Sequence, residues 1–129
     1  MYTVAVQKDF IAQHYLIGGD WGDENHPHSH HYIIEARIEN DKLDQHGYLI
    51  DIVDIEAALT EIVLYFQDKM LNELPEFSGL NPSLEHFSRI IWQKIQKQIK
   101  PIGNAELEIK LWENSTCWAA YKDSYDALK

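Results

Sequence analysis

Hydrophobic and polar positions alternate most cleanly between His28 and Asn40, where His28, His30, Tyr32, Ile34, Ala36 and Ile38 share one parity and Ser29, His31, Glu35, Arg37 and Glu39 the other. Ile33 is the only apolar intruder. A period of two predicts a strand with one core-directed face. Tyr2 to His14 repeats the pattern, with Tyr2, Val4, Val6, Phe10, Ala12 and His14 in step and Lys8 and Ile11 as breaks, so a first strand is expected there. From residue 54 the period changes. Ile55, Leu59, Ile62, Val63, Phe66 and Met70 recur at three- and four-residue spacing behind Asp54, which offers an N-cap, and predict a core-facing helix. A second stripe, Leu84, Phe87, Ile91, Ile95 and Ile99, follows Asn81-Pro82, a cap with proline at the first helical position, and stops before Pro101 and Gly103. Ala105, Leu107, Ile109 and Leu111 return to period two, and residues 117–122 give a short fourth strand after the Asn114-Ser115 turn. The order is strand, strand, helix, helix, strand, strand.

This frame decides what the histidines can do. Four of the chain's seven, His26, His28, His30 and His31, fall within six positions. By clustering alone they fit a metal site or a solvated loop equally well. Strand parity puts His28 and His30 on the apolar face and His31 on the opposite one, and leaves His26 in the preceding loop. His14 lies on the apolar face of the first strand. If the two strands pair antiparallel through their connecting loop, three imidazoles converge, and three histidines with one open position are a ligand set of catalytic zinc.

Two carboxylates invite the same question. Glu113 continues the apolar parity of the third strand, where a buried charge costs several kcal/mol, roughly, unless it is paired. It is either at an exposed strand end or held for a purpose. Glu24 sits in the loop Gly18-Gly19-Asp20-Trp21-Gly22-Asp23-Glu24-Asn25. That loop is rich in glycine but lacks the lysine and hydroxyl residue of a phosphate-binding loop, and its acids would repel phosphate.

Composition narrows the class. With 129 residues, 45% hydrophobic and 25% charged, the chain is expected to form a single domain over residues 1–129 with its own core. Eleven basic against 21 acidic residues give a formal charge of −10, which excludes a nucleic-acid surface. No apolar run is long enough to span a membrane, and the start of the chain has no secretory pattern, so a cytoplasmic home is the default expectation. The single cysteine, Cys117, cannot form an internal disulfide; it is read as a small buried hydrophobe in preference to a nucleophile.

Several segments together resemble the 6-pyruvoyl-tetrahydropterin synthase and 6-carboxytetrahydropterin synthase family, over nearly the whole chain. Phe10-Ile11-Ala12-Gln13-His14 is similar to its first zinc-ligand motif, and His28-Ser29-His30-His31-Tyr32 to its histidine-glycine-histidine-x-tyrosine motif, with serine for glycine. Gly47-Tyr48-Leu49-Ile50-Asp51 resembles the segment before the family's first helix, and Pro82-Ser83-Leu84-Glu85-His86 the start of its second. Glu113 falls where the family places its pterin-anchoring glutamate. The resemblance implies an α+β tunnelling fold, in which a four-stranded antiparallel sheet carries two helices on one side in the order ββααββ. It also implies zinc on His14, His28 and His30, a reduced pterin held by Glu113 with a further contact from Ser83, and a homo-oligomer, trimer or hexamer, with sites between subunits.

The departures concern proton transfer. The family's catalytic cysteine aligns with Glu24, four residues before His28, and its aspartate-histidine pair aligns with Gln67-Asp68. Relatives with glutamate in place of the cysteine carry it three residues before the histidine, the spacing that Asn25 takes here. Two functions lead, ahead of a metal site serving a different small molecule, which the acidic charge favours because a triphosphate needs basic neighbours and Lys8, Arg37 and Lys42 are the evident candidates. One is a zinc-dependent lyase acting on the side chain of 7,8-dihydroneopterin or its triphosphate, with Glu24 as general base and Asp68 as a possible relay. The other is a zinc-containing pterin-binding protein without synthase activity, in which Glu24 and Asp68 are solvated residues.

Overall fold

The computed structural model describes residues 1–125. Its sheet is antiparallel in the order β1 (Tyr2–His14), β2 (His28–Asn40), β3 (Glu106–Trp112) and β4 (Trp118–Ser124). The two helices, α1 (Ile52–Phe66) and α2 (Leu84–Gln96), lie between β2 and β3 in the chain. Both pack on one face of the sheet, α1 against β1 and α2 against β3 and β4. The fold is the expected one.

Parity explains which face they cover. In β1 every residue from Val4 to His14 on the even positions is at least half-buried, and every odd one is exposed. Lys8 keeps this register, and Ile11 accepts exposure. Tyr32, Ile34, Ala36 and Ile38 of β2, and Leu107, Ile109 and Leu111 of β3, complete the apolar face, against Ile55, Leu59, Ile62 and Phe66 of α1 and Phe87, Ile91 and Ile95 of α2. Phe10, Tyr32, Phe66, Phe77 and Phe87 meet ring to ring, with Tyr32 and Phe87 centroids 5.2 Å apart. The opposite face has no layer over it among the described residues. Beside Ile11, Ile33, Trp112 and Trp118 it carries paired polar groups: Gln7 donates to Glu35 at 3.0 Å, Arg37 lies between Glu35 and Glu108, and His31 meets Asp9 at 2.6 Å.

Element ends depart from the pattern where side chains take over. The N-cap of α1 is Asp51, whose carboxylate accepts from the Val53 N–H at 3.0 Å, so the helix begins nearly a turn before Asp54. Ser83 caps α2 by accepting from the His86 N–H at 3.1 Å, and Asn81-Pro82 precede the helix. α1 ends at Phe66, before Met70. Asp68 turns the chain with φ of 61°, its N–H donates to the Ile11 carbonyl at 2.7 Å, and Gln13 donates to Lys69 at 2.9 Å, which lays residues 68–70 along the outer edge of β1. Cys117 is exposed, a correction to the expected buried role: it stands in the β3–β4 turn, where its N–H is held by the Asn114 side chain.

A three-histidine cluster beside an acidic cleft

The register of β1 with β2 assembles the histidines. His14 lies directly opposite His28, and Ala12 opposite His30, so the three side chains project from one face at one end of the pair. Their ring centroids are 4.6 to 4.9 Å apart, and one nitrogen of each lies within 4.8 Å of the others. Such rings can coordinate one divalent ion only if the inward nitrogens carry lone pairs. Two neighbours arrange this. His28 Nδ1 donates to the His26 carbonyl at 2.8 Å, and its Nε2 is buried with no partner. His14 Nδ1 is 3.0 Å from the Tyr32 hydroxyl. A ring committed through Nδ1 presents Nε2 as the ligand atom, and an orphaned buried nitrogen is what a metal site without its ion leaves behind. The residues fit a metal. Burial, reinforced by His30 and His28, lowers the His14 pKa to about 4 against an opposing contribution from the Pro82 carbonyl, so at neutral pH this ring is uncharged and has a lone pair to offer a metal.

The cluster opens onto a cleft of about 210 Å³. Glu24, Ser83 and Glu113 line it together with His14, as do Trp21 and Glu85. Glu113 lies one residue past the end of β3, half-buried, with a carboxylate oxygen 3.9 Å from His30 Nε2. Both readings of Glu113 meet here: the strand ends, and the carboxylate turns toward the histidines.

The loop from β1 to β2 places Glu24. Its short 3-10 turn, Gly22–Asn25, is organised by Asn25, whose Oδ1 accepts from the Trp21 N–H at 2.7 Å while its Nδ2 donates to the Leu16 and Gly19 carbonyls, both at 3.0 Å. Asn25 is thus consumed by the loop, and Glu24 faces the cleft. Asn72 brackets Tyr15 through both of its amide atoms, and Asn81 Oδ1 accepts from the Ile17 N–H at 2.9 Å, tying the same loop to the approach of α2.

Asp68 stands apart. It is exposed on the outer edge of β1 beside Ile11 and does not line the cleft. Trp21, Glu85 and Tyr32 were not singled out by pattern. Tyr32 reads as an ordinary core residue, and Trp21 as one member of a polar loop; only contact with the site distinguishes them. Lys8, Arg37 and Lys42 do not line the cleft either.

Comparisons with known proteins agree with this arrangement. The family model described as 6-pyruvoyl tetrahydropterin synthase matches residues 3–124. A 6-pyruvoyl tetrahydrobiopterin synthase from Dictyostelium discoideum is 25% identical over 97 residues, 74% of this chain and 70% of that protein. Among solved structures, 6-pyruvoyl tetrahydropterin synthase from Caenorhabditis elegans superposes with a TM-score of 0.80 at 15% identity, covering 95% of each chain. A Plasmodium vivax synthase described as a catalytic residue mutant, with glutamate changed to alanine, gives 0.77 at 12% identity, covering 95% of this chain and 97% of that one. At such identities the superpositions speak for the fold. Since the family match runs from the first strand to the last and the sheet carries its helices in the same order, the chain belongs to the 6-pyruvoyl tetrahydropterin synthase family.

Proposed function

We propose that the chain is a zinc-dependent lyase acting on the side chain of a reduced pterin, 7,8-dihydroneopterin or its triphosphate. The observation that carries this reading is the convergence of His14, His28 and His30, with a partnerless His28 Nε2, at the mouth of a cleft lined by carboxylates. When bound by these histidines, zinc would supply Lewis acidity toward the hydroxyls of the side chain.

The remaining work falls to the chain's own groups. Glu113 holds the ring, because one carboxylate accepts two hydrogen bonds from adjacent ring and amino N–H groups. Ser83 already accepts the His86 N–H, and its hydroxyl proton remains available for a ring acceptor. Glu24, free of the hydrogen bonds that occupy Asn25, takes a proton from the side chain. The glutamate mutated in the P. vivax synthase supports a carboxylate in a catalytic role on this fold. Glu24 is exposed in the single chain, so a bound ligand or a second copy has to supply the burial that a general base requires. Asp68 relays a proton only if another copy brings it to the cleft. That requirement fits a homo-oligomer. A free, exposed Cys117 fits a reducing cytoplasmic setting.

A second reading, a pterin-binding protein without turnover, draws on the same exposure of Glu24 and displacement of Asp68. One set of assays separates them. Zinc-loaded protein is incubated with dihydroneopterin and with its triphosphate, and products are separated; conversion that is abolished by Glu24→Gln supports the enzyme, whereas tight binding without product leaves only the binding protein. His28→Ala or His30→Ala should remove roughly one equivalent of metal per chain. Unchanged metal content would refute the metal site.

A further inference from the structure

Of the four tryptophans, three have a structural explanation. Trp92 is buried and its indole N–H donates to the Leu107 carbonyl at 2.8 Å, while Trp112 and Trp118 face each other across the β3–β4 register with Lys110 lying over both rings. Trp21 has none of this. It is 45% exposed in an acidic loop, yet it forms part of the wall of the cleft that Glu24, Ser83 and Glu113 also line.

Its position is built. The Asn25 side chain clamps its backbone N–H at 2.7 Å, and its carbonyl accepts from Glu24 N at 3.3 Å. The six-membered part of the indole is seated against Gly19, where an added Cβ would lie 2.6 and 2.9 Å from the ring atoms Cη2 and Cζ3. Gly19 does not have the positive φ of Gly18 or Gly22. A side chain at this position would therefore have to displace the ring. An exposed indole held by the loop beside carboxylate and hydroxyl groups gives a site both an apolar wall and an edge of hydrogen-bonding partners, which is how planar heterocycles are bound.

We propose that Trp21 is a substrate-binding residue, its indole packing against the planar ring of the ligand while Glu113 and Ser83 hold the ring's edge. This rests on the pterin reading above. It adds a contact that neither the histidines nor the carboxylates supply, and it makes Gly19 a positioning residue acting through Trp21.

The test uses zinc-loaded full-length chain titrated with dihydroneopterin, followed by calorimetry and by tryptophan emission. Aromatic stacking is worth about 1–3 kcal/mol per base in nucleic-acid complexes, so Trp21→Ala should raise Kd about 5- to 160-fold with metal content unchanged. Trp21→Phe should keep most of the affinity yet lose most of the ligand-induced emission change, although three tryptophans remain. Gly19→Ala keeps the indole but displaces it, and should weaken binding with the metal still in place. Kd within twofold of the unaltered protein for Trp21→Ala would overturn the inference, as would a variant that changes the number of associated copies and not Kd. Failure of the unaltered protein to bind any reduced pterin would instead remove the pterin reading, and this contact with it.

Discussion

His14, His28 and His30 owe their convergence to parity, but their readiness to bind metal depends on groups one step further out. Tyr32 is the clearest case. Two residues beyond His30 on the same face, it is fully buried, and burial with the nearby Glu113 charge pushes its hydroxyl pKa far above the usual phenol range. It therefore remains a neutral hydrogen-bonding group for His14 Nδ1. Tyr32→Phe preserves the ring packing with Phe10 and Phe87 and removes only the hydroxyl. Metal affinity, measured by competition with a chromophoric chelator, should fall about 10- to 100-fold with little change in folding. An unaltered affinity would show that the hydroxyl does not orient His14. At this scale the sequence picked out the three histidines that converge and missed their supports, because hydrogen bonds such as His28 Nδ1 to the His26 carbonyl arise from a backbone bend that no residue type announces. His26, which parity leaves in the loop, has an exposed side chain, yet its carbonyl fixes the His28 ring.

Strands were legible as elements because one of their faces is buried and the other is not; a slip of one residue would have inverted thirteen positions of β1 at once. Helix ends were less legible. Asp51 and Asp54 are both acceptable caps by residue type, and only the contact of Asp51 with Val53 N–H chooses between them. Met70 continues the stripe of α1 by spacing, but the hydrogen bonds of residues 68–69 to β1 outweigh another helical turn. Those bonds cover only the end of β1 nearest the site. The edge from Tyr2 to Asp9, and the outer edge of β4, have no strand partner among the described residues. Unpaired edges of this length invite association, and pairing between copies in the proposed homo-oligomer would satisfy them. Light scattering of the purified chain should give the mass of a trimer or a hexamer. A single copy at micromolar concentration would sink that proposal and, with it, any role for Asp68.

For the molecule as a whole, the cluster couples function to stability. In metal-free protein the His14 pKa, lowered by burial from 6.5 to about 4, means that the unfolded chain takes up a proton before the folded chain does as pH falls. The contribution of His14 is fully present above pH 6.5 and is lost progressively toward pH 4. Urea midpoints of metal-free protein should fall across that window by an amount equivalent to about 1–3 kcal/mol, and His14→Gln should flatten the dependence. Equal pH slopes in the two proteins would refute the assignment. Zinc, binding the folded form, should raise the midpoint at neutral pH, and a chelator should reverse it.

Local pattern alone determined the order of elements, the buried face of each strand and the identity of the three histidines, since each follows from residue parity over a few positions. Tertiary structure decided that Glu24 and not Asn25 faces the cleft, that Asp68 leaves the helix for the edge of β1, and that Trp21 stands beside Glu113. Asn25 is spent on backbone groups of its own loop, Asp68 is placed by backbone hydrogen bonds to β1, and Trp21 meets a residue from the far end of the chain; none of these meetings has a period to read.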